Sequence, residues 1–339
     1  SMYKGYALDL IEKNGAHYCF CKECELEAQR KEAGDSFKFV DPCKNLTKEQ
    51  IQEKLDHNEE YVIRQTIENV EKTSYYDEVY GQIDVDADVL EEQVLIKSDG
   101  FPTYNFANII DDHTMNITHV VRGNEYLSST PKYNLIYDAY GWDRPTYVHV
   151  PPVMKDESHK LSKRNGDASF QDLVKKGYLP EAIMNYIALL GWSPETDQEI
   201  YTMDELLKAF KVSRISKSPA IFDIDKLAWM NGEYINKMDL DSFYELAKPI
   251  LEEIITKPYD LKEIASLVQP RIKRISKEDI EPLIDFFEEL PDYDLEMYKH
   301  KKMKTTKENS IEPLKEAYIV LSQLEDWSNA QNIQDALMS

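Results

Sequence analysis

Thr118-His119-Val120-Val121-Arg122, a run that opens at Thr130-Pro131 and ends at Gly141, and Tyr147-Val148-His149-Val150 decide the fold of this 339-residue chain. The first and last are short apolar segments of strand type. Between them, Thr130 offers a capping hydroxyl and Pro131 suits the first helical position. Leu135, Ile136, Ala139 and Tyr140 then share one face, and Gly141 supplies a stop. Strand, helix and strand in this order form the right-handed crossover unit of a parallel sheet, which binds ligands at the carboxyl ends of its strands. Arg122 and the loop that follows Val150 both fall at such ends.

That loop reads Lys160-Leu161-Ser162-Lys163-Arg164. Lysine ammonium groups are mobile point charges suited to phosphate oxygens whose charge grows during reaction, and Ser162 adds a short donor where a bulky side chain would block approach. Five residues by themselves also fit a solvated charge run. The flanking strings are more specific. Upstream stand Asp99-Gly100-Phe101-Pro102-Thr103-Tyr104-Asn105-Phe106-Ala107-Asn108, Asp111-Asp112-His113 and Thr118 to Glu125; downstream come Gly177-Tyr178-Leu179-Pro180-Glu181-Ala182 and Leu189-Leu190-Gly191-Trp192-Ser193-Pro194.

In this order the strings resemble the bacterial glutamyl-tRNA synthetases, class I enzymes whose second signature, the KMSKS loop, often reads KLSKR. The resemblance runs from the first residues to near residue 339. It implies an α/β plus all-α chain: the second half of a Rossmann-like class I catalytic fold with an inserted α+β connective domain, then helical stem-contact and anticodon-binding regions. The expected divisions are 1–100 connective (acceptor-end binding), 101–155 catalytic half, 156–240 KMSKS loop and stem contact, and 241–339 anticodon-binding. Implied substrates are glutamate, ATP with Mg2+, and tRNA(Glu), joined through glutamyl-adenylate. Lys163 is expected to stabilise the departing pyrophosphate, with Lys160 assisting and Ser162 and Arg164 shaping the loop. Tyr104, Asn108 and Arg122 match positions that line the glutamate pocket, although Arg122 has an alternative as an internal partner of Asp111, Asp112 or Glu125. Glu125 is expected to face ATP or the tRNA end, and Val153 to frame the adenine through its backbone.

The family's first signature, His-Ile-Gly-His, has no counterpart, because His17, His57, His113, His119, His149, His159 and His300 each stand in another context. The expectation is therefore a fragment lacking the segment that holds ATP from the other side, and not competent alone. A non-catalytic tRNA- or protein-binding paralogue is the alternative. The intact lysine loop and Arg122 favour the first, since a binding module has no physical need for pyrophosphate-binding lysines.

Hydrophobic content of 42% and charged content of 30% describe a globular chain. No apolar run approaches the ~18 residues of a membrane span, so a cytoplasmic monomer without membrane partners is expected. A net charge of −23 opposes nucleic-acid binding on average. Local basic clusters nevertheless nominate Arg214, Lys217, Arg271, Lys273 and Arg274 as tRNA contacts, with solvated faces as the plain alternative. Cys19, Cys21, Cys24 and Cys43 are confined to one short stretch, which favours metal over disulfide. Some related synthetases bind zinc here through Cys-x-Cys and a later Cys-x-His. This chain reads Cys43-Lys44-Asn45, and Asn is a poor zinc ligand, so the fourth donor is expected to be Cys24 or water; metal-free structural thiols are the alternative.

Other elements follow from pattern. Helices are expected over Glu25 to Lys31, Thr47 to Asp56 with Thr47 capping and Gln50 three residues on, and Pro180 to Leu190 with Ile183, Ile187 and Leu190 inward and Gly191 as stop. Further helices run from Asp225 to Asn231 ended by Gly232, and over Asp241 to Ile255, Ser276 to Leu290 and Ile311 to Leu324. Tyr61 to Gln65 and Val94 to Lys97 read as strands, the second closed by an Asp99-Gly100 turn.

Overall fold

A computed structural model describes residues 2–22, 39–161, 169–289, 292–327 and 329–338. The chain divides into two compact units, Ser1–Tyr234 and Ile235–Ser339.

Two sheets organise the first unit. In one, β1 (Ala16–Cys19) and β2 (Val62–Gln65) pair antiparallel, and β2 pairs antiparallel with β5 (Val94–Ile96) across an irregularity at Ile63/Arg64. In the other, the order is β4 (Gly81–Asp86), β3 (Lys72–Asp77), β7 (Thr146–Val150), β6 (His119–Gly123). Strands β6 and β7 are parallel, with Arg122 beside His149, and α4 (Thr130–Tyr140) crosses between them as expected. Pro131 sits in its first turn, and Gly141 ends it at φ 70°, a left-handed position that costs glycine little.

The hairpin β3/β4 was not expected from sequence. Its strand β3 buries Thr73, Tyr75 and Asp77 while exposing the residues between, yet the run Lys-Thr-Ser-Tyr-Tyr-Asp is too polar to stand out. It joins β7 in parallel at Asp77↔Tyr147. Residues 72–86, placed by the sequence reading with the connective domain, thus extend the crossover sheet. Nor do residues 1–100 keep a core of their own. Ala7 and Leu10 of α1 (Met2–Glu12), Ala16, Ile63, Leu95 and Ile96 form one cluster with Phe106, Ile109 and Ile110 of α3 (Tyr104–Thr114) and with Tyr133, Ile136 and Tyr137 of α4. The expected division near residue 100 falls inside this core.

The short helix α2 (Lys48–Asp56) has the expected capping box: Thr47 Oγ1 accepts from Gln50 N, and Gln50 Oε1 accepts from Thr47 N. The segment Glu25 to Lys31 lies outside the described residues. After β8 (Val153–Met154) and α5 (Phe170–Lys175), α6 spans Pro180–Gly191. Its inward face differs from the expected one. Ala182, Ile183, Asn185 and Tyr186 are buried, whereas Ile187 is 48% exposed. The buried amide of Asn185 turns the face, because its Oδ1 accepts from Tyr201 N and Tyr234 Oη. Gly191 is the last helical residue rather than a stop beyond it. Then come α7 (Met203–Ala209), β9 (Ala220–Ile221), which pairs in parallel with β8, and α8 (Ile224–Lys237). Helix α8 runs straight through Gly232. A glycine inside a helix costs about 1 kcal/mol, which the burial of Met230, Asn231 and Ile235 around it outweighs.

The second unit is helical. Helices α9 (Leu240–Ile254), α10 (Leu261–Val268) and α11 (Lys277–Ile284) pack through Phe243, Ala247, Leu251, Ile264, Ala265, Val268, Ile280 and Ile284. Asp239, Asp260 and Ser276 cap their N-termini. The last of these helices is shorter than expected, passing at Asp285–Phe287 into a tighter 3-10 turn. Helices α12 (Ile311–Ser322) and α13 (Ala330–Met338) follow.

Candidate functional site

Crossover geometry brings Tyr104, Asn108 and Arg122 to one end of the parallel pair. Tyr104 and Asn108 stand one turn apart at the start of α3 and so share a face. Arg122 is the penultimate residue of β6. Its guanidinium carbon lies 5.2 Å from the Tyr126 ring centre and 5.1 Å from that of Tyr133. Tyr104 and Tyr126 touch ring to ring at 6.2 Å. No carboxylate pairs with Arg122 among the described residues, so the internal partnership with Asp111, Asp112 or Glu125 is not seen. Asp111 instead accepts from Tyr3 Oη at 2.8 Å. Arg122 Nε and Asn108 Oδ1 are both buried without a hydrogen-bond partner.

Orphaned donors and acceptors of this kind are costly unless something arrives to meet them. An aromatic sandwich leaves the guanidinium edge available for a carboxylate while holding its plane fixed. Asp112, one further turn along α3, is pushed upward in pKa by burial, against the pull of Arg122. Tyr126 and Tyr133 were not nominated from sequence, since only the return of α4 beside β6 makes them neighbours of Arg122.

Behind Arg122 lies a wholly buried polar network. Asp77 Oδ2 accepts from His149 N at 3.0 Å and faces His149 Nδ1 at 2.6 Å, while Oδ1 accepts from Val79 N at 2.9 Å and Tyr80 N at 2.8 Å. His149 Nε2 meets Thr130 Oγ1 at 3.2 Å, at the head of α4. Burial lowers the His149 pKa despite the neighbouring Asp77. The carboxyl ends of β3 and β7 are thereby tied to the helix that carries Tyr133.

On the nucleotide side, Lys160 is exposed, paired in a bridge with Met154, and Leu161 N donates to Val153 O at 3.0 Å, so that carbonyl is taken. Ser162, Lys163 and Arg164 lie outside the described residues. Glu125 is exposed and folds over Gly123, where an added Cβ would stand 2.2 Å from Glu125 Oε2; only glycine admits this close return.

The nominated tRNA contacts fall in different units. Arg214 donates to Ser193 O at 2.6 Å and Pro194 O at 2.8 Å, and Lys217 lies 3.5 Å from Tyr80 O. In the helical unit, Arg274 pairs with Asp279 at 2.5 Å, Arg271 donates to Leu267 O, and Lys273 is exposed.

A second cluster lies at the end of β1. Cys19 Sγ, Cys21 Sγ, Cys43 Sγ and a carboxylate oxygen of Asp41 all lie within 4.8 Å of one another. Cys24 lies outside the described residues. Burial, reinforced by Asp41, pushes the Cys19 thiol up to about 11, and Cys21 is raised further by burial and by the neighbouring cysteines and Asp41. Asp41 is held below the usual carboxylate range: burial opposes this, but bonds from His17, Cys19 and the Cys43 amide prevail. Three thiols converging without a disulfide are the donor set of a soft, tetrahedral cation, and zinc fits them. Asp41 was missed from sequence, although it stands two residues before Cys43.

A family model described as tRNA synthetases class I (E and Q), catalytic domain, matches residues 1–229, and an anticodon binding domain matches 242–339. "Glutamate--tRNA ligase" of Clostridium acetobutylicum is 53% identical over 342 residues, covering 100% of this chain and 70% of that protein. Its namesake in Clostridium novyi is 56% identical over 330 residues, covering 96% and 67%. The crystal structure of a glutamate tRNA ligase from Elizabethkingia meningosepticum, in complex with its amino acid, superposes at a TM-score of 0.83 with 30% identity, over 98% of this chain and 71% of that one. With the fold, the arginine pocket and these matches in hand, the chain belongs to the glutamate–tRNA ligases, among the class I tRNA synthetases.

Proposed function

We propose that this chain binds the glutamate of the ligase reaction in the pocket of Tyr104, Asn108 and Arg122, and that its strand ends and lysine loop serve activation to glutamyl-adenylate before transfer to tRNA(Glu). One observation carries the reading: Arg122 is clamped between two tyrosine rings with its Nε buried and unpartnered. A carboxylate meets that need by a two-pronged contact, and a neutral amide does so less well.

Activation is in-line attack of a glutamate carboxylate oxygen on the α-phosphorus of ATP, with pyrophosphate leaving. Little proton transfer is needed, so positioning and positive charge dominate. Arg122 would fix the substrate and Asn108 would orient it. Lys163 would meet the leaving pyrophosphate, with Lys160 assisting, Ser162 and Arg164 shaping the loop, and Val153 and Glu125 bordering the nucleotide. Mg2+ accompanies ATP and supplies charge on the phosphates. Arg214, Lys217, Arg271, Lys273 and Arg274 are proposed to meet tRNA phosphates.

We infer further that Cys19, Cys21 and Cys43 hold a structural zinc. Elemental analysis is expected to give near one zinc per chain, lost in Cys21→Ser or Cys43→Ser. For the pocket, nuclear magnetic resonance titration with glutamate is expected to shift signals around α3 and β6. Glutamine should bind at least about tenfold more weakly, and Arg122→Ala should abolish the shifts. Equal response to glutamate and glutamine in the unaltered chain would overturn this assignment.

A further inference from the structure

We propose that the Asp41 carboxylate, and not a fourth cysteine, completes the metal site of Cys19, Cys21 and Cys43 through Oδ1, with His17 and Arg64 holding Oδ2. The proposal rests on the zinc reading above and names the ligand that reading leaves open.

Spacing is the first argument. Zinc–sulfur bonds of about 2.3 Å in a tetrahedron place sulfurs about 3.8 Å apart, and a carboxylate oxygen about 3.5 Å from each sulfur. Cys21 Sγ lies 3.7 Å from Cys43 Sγ and 3.7 Å from Asp41 Oδ1. These separations suit a shared cation and are long for direct bonding between the groups.

Orientation is the second. The Asp41 side chain is fully buried, and each oxygen has a distinct duty. Oδ1 accepts from Cys43 N at 2.9 Å, across the Asp-Pro-Cys turn that Asp41 caps, and retains a lone pair toward the sulfurs. Oδ2 meets His17 Nε2 at 3.0 Å and Arg64 Nε at 3.5 Å; His17 Nδ1 is in turn held by Thr66 Oγ1 at 2.8 Å. A ligating carboxylate is commonly fixed by partners on its other oxygen in this way. Phe20 N points at Cys43 Sγ from 3.3 Å, a donor that favours a thiolate there.

Charge is the third. Metal binding displaces the three thiol protons to solvent, including the one that links Cys21 to Asp41, and Oδ1 then faces the cation. Three thiolates and one carboxylate leave a doubly negative site around a divalent ion. The Arg64 guanidinium beside Oδ2 offsets part of that charge.

The test is zinc K-edge X-ray absorption on the full chain loaded with zinc, joined to chelator competition on variants. The expected shell is three sulfurs and one oxygen. Cys24→Ser should keep that spectrum and its zinc affinity within about twofold, whereas Asp41→Ala should weaken binding by at least about tenfold. Asp41→Asn, which preserves volume and the cap to Cys43 N, controls for misfolding and should also weaken binding. A four-sulfur shell that loses one sulfur in Cys24→Ser would overturn the assignment of Asp41 while leaving zinc in place. Wild-type affinity in both Asp41 variants would do the same. A chain that takes up no zinc would overturn both readings together.

Discussion

Arg122 shows how one residue becomes a site through what surrounds it. Stacked between Tyr126 and Tyr133, its guanidinium has lost rotational freedom before any ligand arrives. Lysine keeps the charge but neither the plane nor the fork. Arg122→Lys is therefore expected to weaken glutamate binding by roughly tenfold or more, a loss of about 1.4 kcal/mol, measurable by calorimetry. Lys163 is argued on different grounds, because its contact strengthens as pyrophosphate departs. In an active ligase carrying this sequence, Lys163→Ala is expected to lower the activation rate constant by about 10²-fold with little change in the dissociation constant of ATP. Rapid-quench measurement of adenylate formation separates the two, and a loss confined to binding would assign Lys163 to ground-state anchoring. Tyr104, Asn108, Arg122 and Lys163 were legible because their motifs are contiguous strings. Tyr126, Tyr133 and Asp41 were not, since their relevance depends on which segments the fold returns to one place.

At the scale of elements, the join between β3, β7 and α4 is the most consequential. His149 is fully buried and its pKa is lowered by that burial, so the folded protein keeps the ring neutral at pH values where the unfolded chain takes up a proton. The stability this contributes is present above the unfolded pKa of about 6.5 and is lost as pH falls from there through the lower folded value. Urea denaturation from pH 7.5 to 5.5 is expected to show stability falling toward acid, and His149→Gln to flatten that dependence in this window. An unchanged profile in the variant would place the acid sensitivity elsewhere. The crossover was readable because apolar runs, a capping hydroxyl, proline and glycine all agreed. The hairpin β3/β4 was not, because its buried positions include Thr73 and Asp77, and Asp77 is tolerated there only through the four donors that converge on it. Gly232 misled for the reverse reason: glycine ends a helix only when packing beyond it is weak, and Ile235 beyond it is fully buried.

Across the whole molecule, a net charge of −23 must coexist with a polyanionic partner. The average field slows encounter and suppresses non-specific association, so affinity must come from a few well-placed cations. The nominated set is unequal in this respect. Arg274 is engaged with Asp279, a first-turn residue of α11 that Ser276 Oγ caps, so replacing Arg274 would disturb the helix start as well as any phosphate contact. Arg214 likewise holds the carbonyls of Ser193 and Pro194. Lys273 and Arg271 are exposed on the helical unit and give the cleaner test. If each meets one phosphate, neutralising both as Arg271→Gln and Lys273→Gln is expected to lower the slope of log affinity against log salt by about 1.8, from about 0.9 per contact. Binding should weaken most at low salt and converge with the unaltered chain near 0.3 M, read by filter binding with tRNA(Glu) over a salt series. The helical unit should keep its denaturation midpoint, because neither side chain closes a buried pair in the way Arg274 does. An unchanged slope would return Arg271 and Lys273 to the solvated surface and leave tRNA recognition to other cations of the chain.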